Sequence, residues 1–575
     1  MENKKATIGA LLLSFGCYYF FKNSSITNTD DKIVIAVNST TIISITIIII
    51  PLLLSVFRKY HLNDNNNNKT NKEEIIQEEE KYVKRAKRMV DRWTGIQQQV
   101  NRKNPTNEII LNRNSILQDS NNNSSFYNET SKLIPIFAEC EVLVVGGGPS
   151  GISAALAAKR AGADTILLEK FGCFGGVITT VGMETIGWYR YEGTVESQGG
   201  IGIEMERIAM QMGGTVKWPY NDSQCLDADY FKIVADHLVT EAGVRPILHC
   251  LAVEVMLENN KIVGVITESK SGRLGIRAKR VVDCTGDADI AHLAGCSYRK
   301  TPKDEMLGVT TVFSCSNVNK ERFLKYTEEN PATYADWSRF WAQETSGKEN
   351  HLRTPYLDKE FDKAKELGII SKRSNIGGSW SSLTDAGEAT NLNLVYMTNY
   401  DCTNVNDLTK AEMEGRKETL DAIMALKHVV PGFEKAKLRN FGMTLGGRDS
   451  RKIIGHYNLT GDDVKNQAKF NDSIGIFPEF IDGYSILILP TTGRYFEVPY
   501  GCLLPLEIDN LLVAGRCVAG DKTSHAAMRN MAACTVTGQG AGAAAAISLK
   551  QDVTTSEVDI ELVQKELIRQ GVRLH

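Results

Sequence analysis

Near the C-terminal end, His525 and Arg529 stand four residues apart in H-A-A-M-R, about one helical turn. A positioned guanidinium binds a carboxylate through two parallel hydrogen bonds, and an imidazole gives or takes a proton near neutral pH. The pair therefore reads as a catalytic site for an organic substrate; alternatively, Arg529 pairs with a phosphate or a local acid. Arg448 and Arg451, in G-G-R-D-S-R, form a second basic candidate, which a structural ion pair explains equally well. The twelve cysteines are scattered without a C-x-x-C pair, so no metal or iron–sulfur site is expected.

Such side chains need a scaffold, and residues 141–151, E-V-L-V-V-G-G-G-P-S-G, announce one. Val142 to Val145 read as a buried strand, and Gly146, Gly148 and Gly151 supply G-x-G-x-x-G ahead of a small-residue helix. The first glycine allows the tight turn and the second lets a pyrophosphate approach the backbone. The third lets helix and strand pack closely. A second strand over residues 165–168 ends in Glu169, where a carboxylate can hold a ribose hydroxyl. Gly175, Gly176 and Thr179 follow, able to bring amides and a hydroxyl to more phosphate. Two remote strands return to the same place: R-V-V-D-C-T-G-D over residues 280–287, and N-L-L-V-A-G-R over residues 510–516. T-G-Q-G-A-G, residues 537–542, opens an alanine-rich run. These returns suit a long dinucleotide spanning several strand ends.

Over residues 138–550 the chain resembles the FAD-dependent oxidoreductases. It looks most like the branch grouped with the flavin subunit of heterodisulfide reductase, and more distantly like the fumarate reductase and succinate dehydrogenase flavoproteins. The resemblance is carried by V-V-G-G-G-P-S-G, V-V-D-C-T-G-D-A-D, V-P-Y-G-C-L-L-P-L-E-I-D-N-L-L-V-A-G-R-C and G-Q-G-A-G. It implies an α/β fold: a glutathione-reductase-like FAD-binding Rossmann domain with an inserted α+β substrate or cap domain. It also implies that Gly146, Gly148 and Gly151 face the FAD pyrophosphate and Glu169 the adenosine ribose. Gly175, Gly176 and Thr179 would lie near phosphate and ribityl, and Ala252 would present its amide to adenine. Thr285, Gly286 and Asp287 would close over the cofactor, with Gly515 and Arg516 by the ribityl chain. Gln539 and Gly540, at a helix N-terminus, would steady charge on the reduced ring. Arg529, matching a His-Gly-x-x-Arg-type segment, would hold a substrate carboxylate. The chain lacks a histidine at the glycine pair, so FAD is expected to be non-covalent. It also lacks a second G-x-G-x-x-G, which argues against a built-in NAD(P)H domain. Cys173 has no partner at C-x4-C spacing and reads as a packed thiol.

The N-terminal part differs in character. Residues 33–57 carry no charge and are long enough, at about 1.5 Å per residue, to cross a bilayer core of about 30 Å. A shorter apolar run over residues 6–21 reads either as half of a membrane hairpin, giving two transmembrane helices, or as the core of a signal peptide. Lys4 and Lys5 precede the first run and Arg58 and Lys59 follow the second, which places the following domain in the cytosol. Residues 63–70 are an Asn-rich linker, and residues 73–100 read as a charged helix. The expected division is a membrane anchor over 1–60, a polar linker over 61–137 and a first FAD-binding part over 138–299. A cap over 300–440, a second FAD-binding part over 441–550 and a C-terminal tail over 551–575 follow.

A net charge of −3 gives no sign of nucleic-acid binding. The expected function is a membrane-tethered, cytosol-facing oxidoreductase that moves hydride between a small organic substrate and FAD. Its partners would be that substrate, a lipid bilayer and an electron acceptor (quinone, oxygen or a soluble carrier). A reductase running in the opposite direction is the second enzyme reading. A flavin-binding redox sensor or scaffold without turnover is the alternative from another class.

Overall fold

The computed structural model describes residues 25–29, 32–36, 129–186, 198–218, 224–334, 336, 342–343, 352–489 and 493–575. The chain divides into two units, Met1–Asn107 and Glu108–His575.

In the first unit, strands β1 (Ser25–Thr29) and β2 (Lys32–Ala36) form an antiparallel hairpin. This corrects the start of the expected membrane span. Residues 33–36 belong to a strand, as β-branched Ile33, Val34 and Ile35 favour. The rest of that span, the run over 6–21 and the charged segment over 73–100 lie outside the described residues. Among the described residues, no helix is long and apolar enough to cross a membrane.

The second unit is built on a parallel sheet. Strand β3 (Ile136–Val145) leads through helix α1 (Pro149–Arg160) to β4 (Thr165–Leu168). Helices α2 (Gly200–Gln211) and α3 (Ala228–Glu241) precede β5 (Arg245–Ile247). A meander follows: β6 (Leu251–Glu258), β7 (Lys261–Ser269) and β8 (Gly272–Asp283). Asn259 and Asn260 turn the β6–β7 hairpin with φ of 48° and 60°, conformations asparagine tolerates. The C-terminal half of β8 leaves the meander and pairs in parallel with β3. The parallel order is therefore β5-β4-β3-β8, with a late strand, Leu511–Val513, beyond β8. Val145, Leu168 and Asp283 end their strands in register, and Asp283 is level with Val513. A functional crevice in such sheets opens at these carboxyl ends.

A second apolar core, from Val309 to Leu445, forms around an antiparallel sheet. Its strands are β9 (Val309–Ser316), β10 (Ile376–Ser379), β11 (Ala389–Met397) and β12 (Lys437–Phe441). Helix α4 (Val405–Val429) packs on it and stops before Pro431, which cannot continue a helix.

After the late strand, β13 (Leu511–Val513), come helices α5 (Lys522–Met528) and α6 (Met531–Gln551). Helix α6 lies so close to α1 that a Cβ at Gly538 would stand 2.1 Å from the Ser150 carbonyl oxygen; at Gly542, a Cβ would stand 2.0 Å from that of Ala154. The expected C-terminal tail is a correction. Residues 560–569 form helix α7 (Ile560–Arg569), which packs on α6. Val563, Leu567, Val572 and Leu574 are buried in the main core. Burial of this apolar stripe orders the segment.

Candidate active site

The carboxyl ends of β3, β4, β8 and β13 open into a cavity of about 290 Å³. Gly146 leaves β3 with φ +102°, and a Cβ there would stand 2.4 Å from the Cys284 carbonyl oxygen. Gly151, in the first turn of α1, sits where a Cβ would stand 1.7 Å from the Gly146 carbonyl oxygen, so only glycine fits there. Gly148 is different: its nearest neighbour for a Cβ is the Gly176 Cα, at 3.7 Å. It lines the cavity and leaves a backbone cradle open between the two loops.

Glu169, at the tip of β4, is buried and also lines the cavity. Its Oε2 accepts from the Gly147 amide at 2.6 Å and its Oε1 from the Phe171 amide at 2.9 Å. Each oxygen keeps a further lone pair for a ligand hydroxyl. Gly176, Ala252, Thr285, Gly286, Asp287 and Arg516 line the same cavity. The β8 terminus is held by Asp283. Its carboxylate accepts from the Thr285 amide and hydroxyl and from the Ala291 amide, while burial pushes its pKa up to about 6. Arg516 pairs with Asp287 at 2.5 Å, and among the described residues its buried Nη1 has no partner. An unpaired donor of this kind, beside an open glycine cradle at a helix start, fits a phosphate-bearing dinucleotide.

Several expected residues sit elsewhere. Thr179 donates to the Phe174 carbonyl at 2.7 Å and does not line this cavity, whereas Thr180 does. Gly175, with φ +108°, and Gly515, with φ +88°, shape turns behind the wall. Gly515 donates its amide to Thr537 Oγ1 at 2.9 Å. Gln539 and Gly540 require a correction: they lie two turns inside α6, not at its start. Gln539 accepts from the Ile201 amide at 2.9 Å, and Gly540 faces Ile474. The true helix start, Asn530 and Met531, lies on the cavity walls, and the positive end of the α6 dipole is there.

A second cavity, of about 510 Å³, adjoins the first beneath the antiparallel sheet. Val177, Gly447, Arg516, Arg529 and Met531 line both. Arg529 thus stands at the junction. It bonds Asp482 through both the backbone carbonyl and Oδ2, the latter at 3.0 Å. Arg448 reaches the same Oδ2 at 3.2 Å. Arg451 is turned away, bonded to the Asp287 carbonyl and the Asp289 carboxylate.

His525 is the second correction. It lies within the protein and lines neither cavity. Its Nε2 donates to the Arg448 carbonyl at 3.0 Å, and burial brings its pKa down to about 3. It is a neutral positioning group beneath Arg448. Its neighbours form a buried cluster in which Asp449 accepts from Lys452 at 2.7 Å and from Tyr484 at 2.6 Å. The sequence reading missed Asp482, Tyr396, Thr180, Asn530 and Met531. Only the last two had a local signal, since they precede an alanine-rich helix.

Among the described residues, no cluster of His, Cys, Asp or Glu could hold a metal ion. The cysteines there are unpaired, and most are buried.

Residues 141–567 match the family model described as FAD dependent oxidoreductase. A thiamine thiazole synthase of Methanococcus aeolicus is 31% identical over 206 residues, covering 33% of this chain and 71% of that protein. Digeranylgeranylglycerophospholipid reductase 1 of Methanopyrus kandleri is 30% identical over 166 residues; the match spans 27% of this chain and 42% of that protein. Among solved structures, a geranylgeranyl bacteriochlorophyll reductase-like protein from Thermoplasma acidophilum aligns with 75% of this chain and 84% of its own. Its identity is 15% and its TM-score 0.38. The matched family names FAD as the ligand that the glycine cradle, Glu169 and Arg516 would hold, and the chain belongs to the FAD dependent oxidoreductases.

Proposed function

We propose that this protein is a membrane-tethered, cytosol-facing oxidoreductase that moves hydride between a small organic substrate and non-covalent FAD. The observation that carries this reading is the meeting of two cavities at Arg529, Arg516, Val177, Gly447 and Met531. One has the dinucleotide features; the other has a volume suited to a small molecule. When bound, FAD supplies the ring that takes or gives hydride. The chain's residues do the remaining work. The loops at Gly148 and Gly176 receive phosphate, Glu169 receives ribose, and Arg529 orients the substrate at the junction. Its bonds to Asp482 fix the guanidinium in advance, so little ordering is left for the bound complex. The α6 N-terminus favours negative charge at the same place.

The tether is supported by the uncharged run beyond residue 36 and by the basic residues Arg58 and Lys59 that follow it. Electrons then pass to a quinone, oxygen or a soluble carrier. The test is an anaerobic absorbance titration of the purified chain with small acids, alcohols and amines. Bleaching of the flavin by one class supports the reading and sets its direction. A bound flavin that no compound reduces counts against it. Extraction of membranes with alkaline carbonate tests the tether, which predicts that the chain stays in the pellet.

A further inference from the structure

The second cavity has a polar wall that plays no part in its junction with the first. Trp218, Ser379, Ser381 and Asn393 line the second cavity and not the dinucleotide one. Asn393 lies on β11 opposite Ser379 of β10. Its strand neighbours Leu392 and Leu394 are sealed in the second core, so the Asn393 side chain is turned to the other face, toward the cavity. Asparagine is depleted in strands, and β11 is an inner strand of its sheet. Its presence there therefore needs another reason. The Asn393 Oδ1 is buried without a partner among the described residues.

The Trp218 indole N–H is buried without a partner in the same way. One short segment links it to Asn393. Ser381 accepts at its hydroxyl from Asn391 Nδ2, at 2.9 Å, and at its carbonyl from the Cys225 thiol, at 3.2 Å. Cys225 is level with Val216 in the hairpin of Thr215–Lys217 with Gln224–Leu226, and Trp218 follows the first of these strands. Residues 379–381 thus hold a free donor, Trp218 Nε1, and a free acceptor, Asn393 Oδ1, in one wall. Buried polar atoms are nearly always paired, and an unpaired donor and acceptor in the wall of a cavity ask for a ligand that pairs both. The rest of the lining includes apolar Met183, Ile186, Pro355 and Ile376. Lys365 also lines the cavity and donates to the Ile376 carbonyl at 3.4 Å.

We infer that this wall binds a neutral carboxamide group, its carbonyl oxygen accepting from Trp218 Nε1 and its N–H donating to Asn393 Oδ1, with the ligand's apolar body beside Met183, Ile186 and Ile376. The inference deepens, and rests on, the reading that this cavity receives the substrate. It makes Asn393 and Trp218 specificity-determining residues. A carboxamide carries an acceptor and a donor on neighbouring atoms. A methyl ketone of the same shape has no donor for Asn393. A carboxylate has none either, and brings a charge that must be desolvated. A site that hydrogen-bonds a ligand group rejects the analogue lacking it, because the protein atom is then left unpaired.

The test uses the full chain loaded with FAD in detergent. Benzamide, cinnamamide and indole-3-acetamide are titrated by calorimetry beside the matching methyl ketones and acids. At least one amide is expected to bind tenfold or more tightly than its ketone and its acid. Asn393→Leu should weaken that amide at least tenfold and the ketone less than threefold. Trp218→Phe, which keeps an aromatic ring, should weaken amide and ketone alike, and it decides the matter should Asn393→Leu not fold. Ketones or acids that bind as well as the amides, an amide indifferent to the substitutions, or no binding by any amide would overturn the inference. Anaerobic flavin absorbance separates this result from the proposed function. Amide binding that depends on Asn393, with no compound bleaching the flavin, upholds this inference and counts against hydride transfer. Bleaching by another class of compound, with no amide bound, upholds hydride transfer and overturns this inference.

Discussion

Two glycines of one motif should behave in opposite ways. At Gly148 an added methyl would meet only the Gly176 Cα at 3.7 Å, an ordinary contact, and the backbone φ of −74° suits alanine. Gly148→Ala should fold normally, but its methyl would occupy the space that pyrophosphate needs. Overpacking of this kind costs about 1–3 kcal/mol. At about 1.4 kcal/mol per decade, FAD affinity should fall roughly 5- to 150-fold. At Gly151 the methyl would stand 1.7 Å from the Gly146 carbonyl oxygen, backbone that cannot move without shifting α1 from β3. Gly151→Ala should cost about 3 kcal/mol or more in the apoprotein itself. The assay is thermal melting of both apoproteins beside equilibrium titration with FAD. Equal destabilisation by the two substitutions, or undiminished FAD affinity in Gly148→Ala, would refute the assignment of one glycine to ligand and the other to packing.

Four further predictions have their own measurements. Burial lowers the His525 pKa from 6.5 to about 3, so the unfolded chain binds the extra proton first as pH falls. Stability from this group is intact above pH 6.5 and is lost toward pH 3, with a slope of up to about 1.4 kcal/mol per pH unit; His525→Gln should flatten that part of a stability–pH curve. For the same reason, activity between pH 5 and 8 should show no titration that His525→Gln removes. Leu567→Ala, which empties a buried position in α7, should destabilise the protein by about 2–5 kcal/mol in chemical denaturation. Arg529→Ala should abolish turnover while leaving most FAD bound, read by stopped-flow reduction and flavin absorbance.

The parts of the fold that could be read from the sequence were local. Gly146, Gly148, Gly151 and Glu169 lie within one short β-α-β stretch, where each residue type has a direct geometric reason. Asn259 and Asn260 marked their hairpin in the same way. The errors came from burial and from distant contacts. Gly538 and Gly542 looked like a loop opening a helix, yet they are helix-interior positions that let α1 approach. That moved the expected helix start from Met531 to Gln539. His525 has the spacing of a catalytic partner to Arg529, but spacing does not reveal that its ring is sealed under Arg448. Asp482 carries no local motif and reaches the site only because the chain folds the short strand Ile481–Gly483 against Arg529. The α7 stripe of Ile560, Val563 and Leu567 was present in the sequence and was overlooked after an apparent domain end.

The most direct test of the account is the flavin content of the purified, folded chain. Wild-type protein incubated with FAD and passed through gel filtration should retain about one equivalent, released intact by denaturation, and Gly148→Ala should retain much less. A folded wild-type chain that takes up no FAD would contradict the account at its centre.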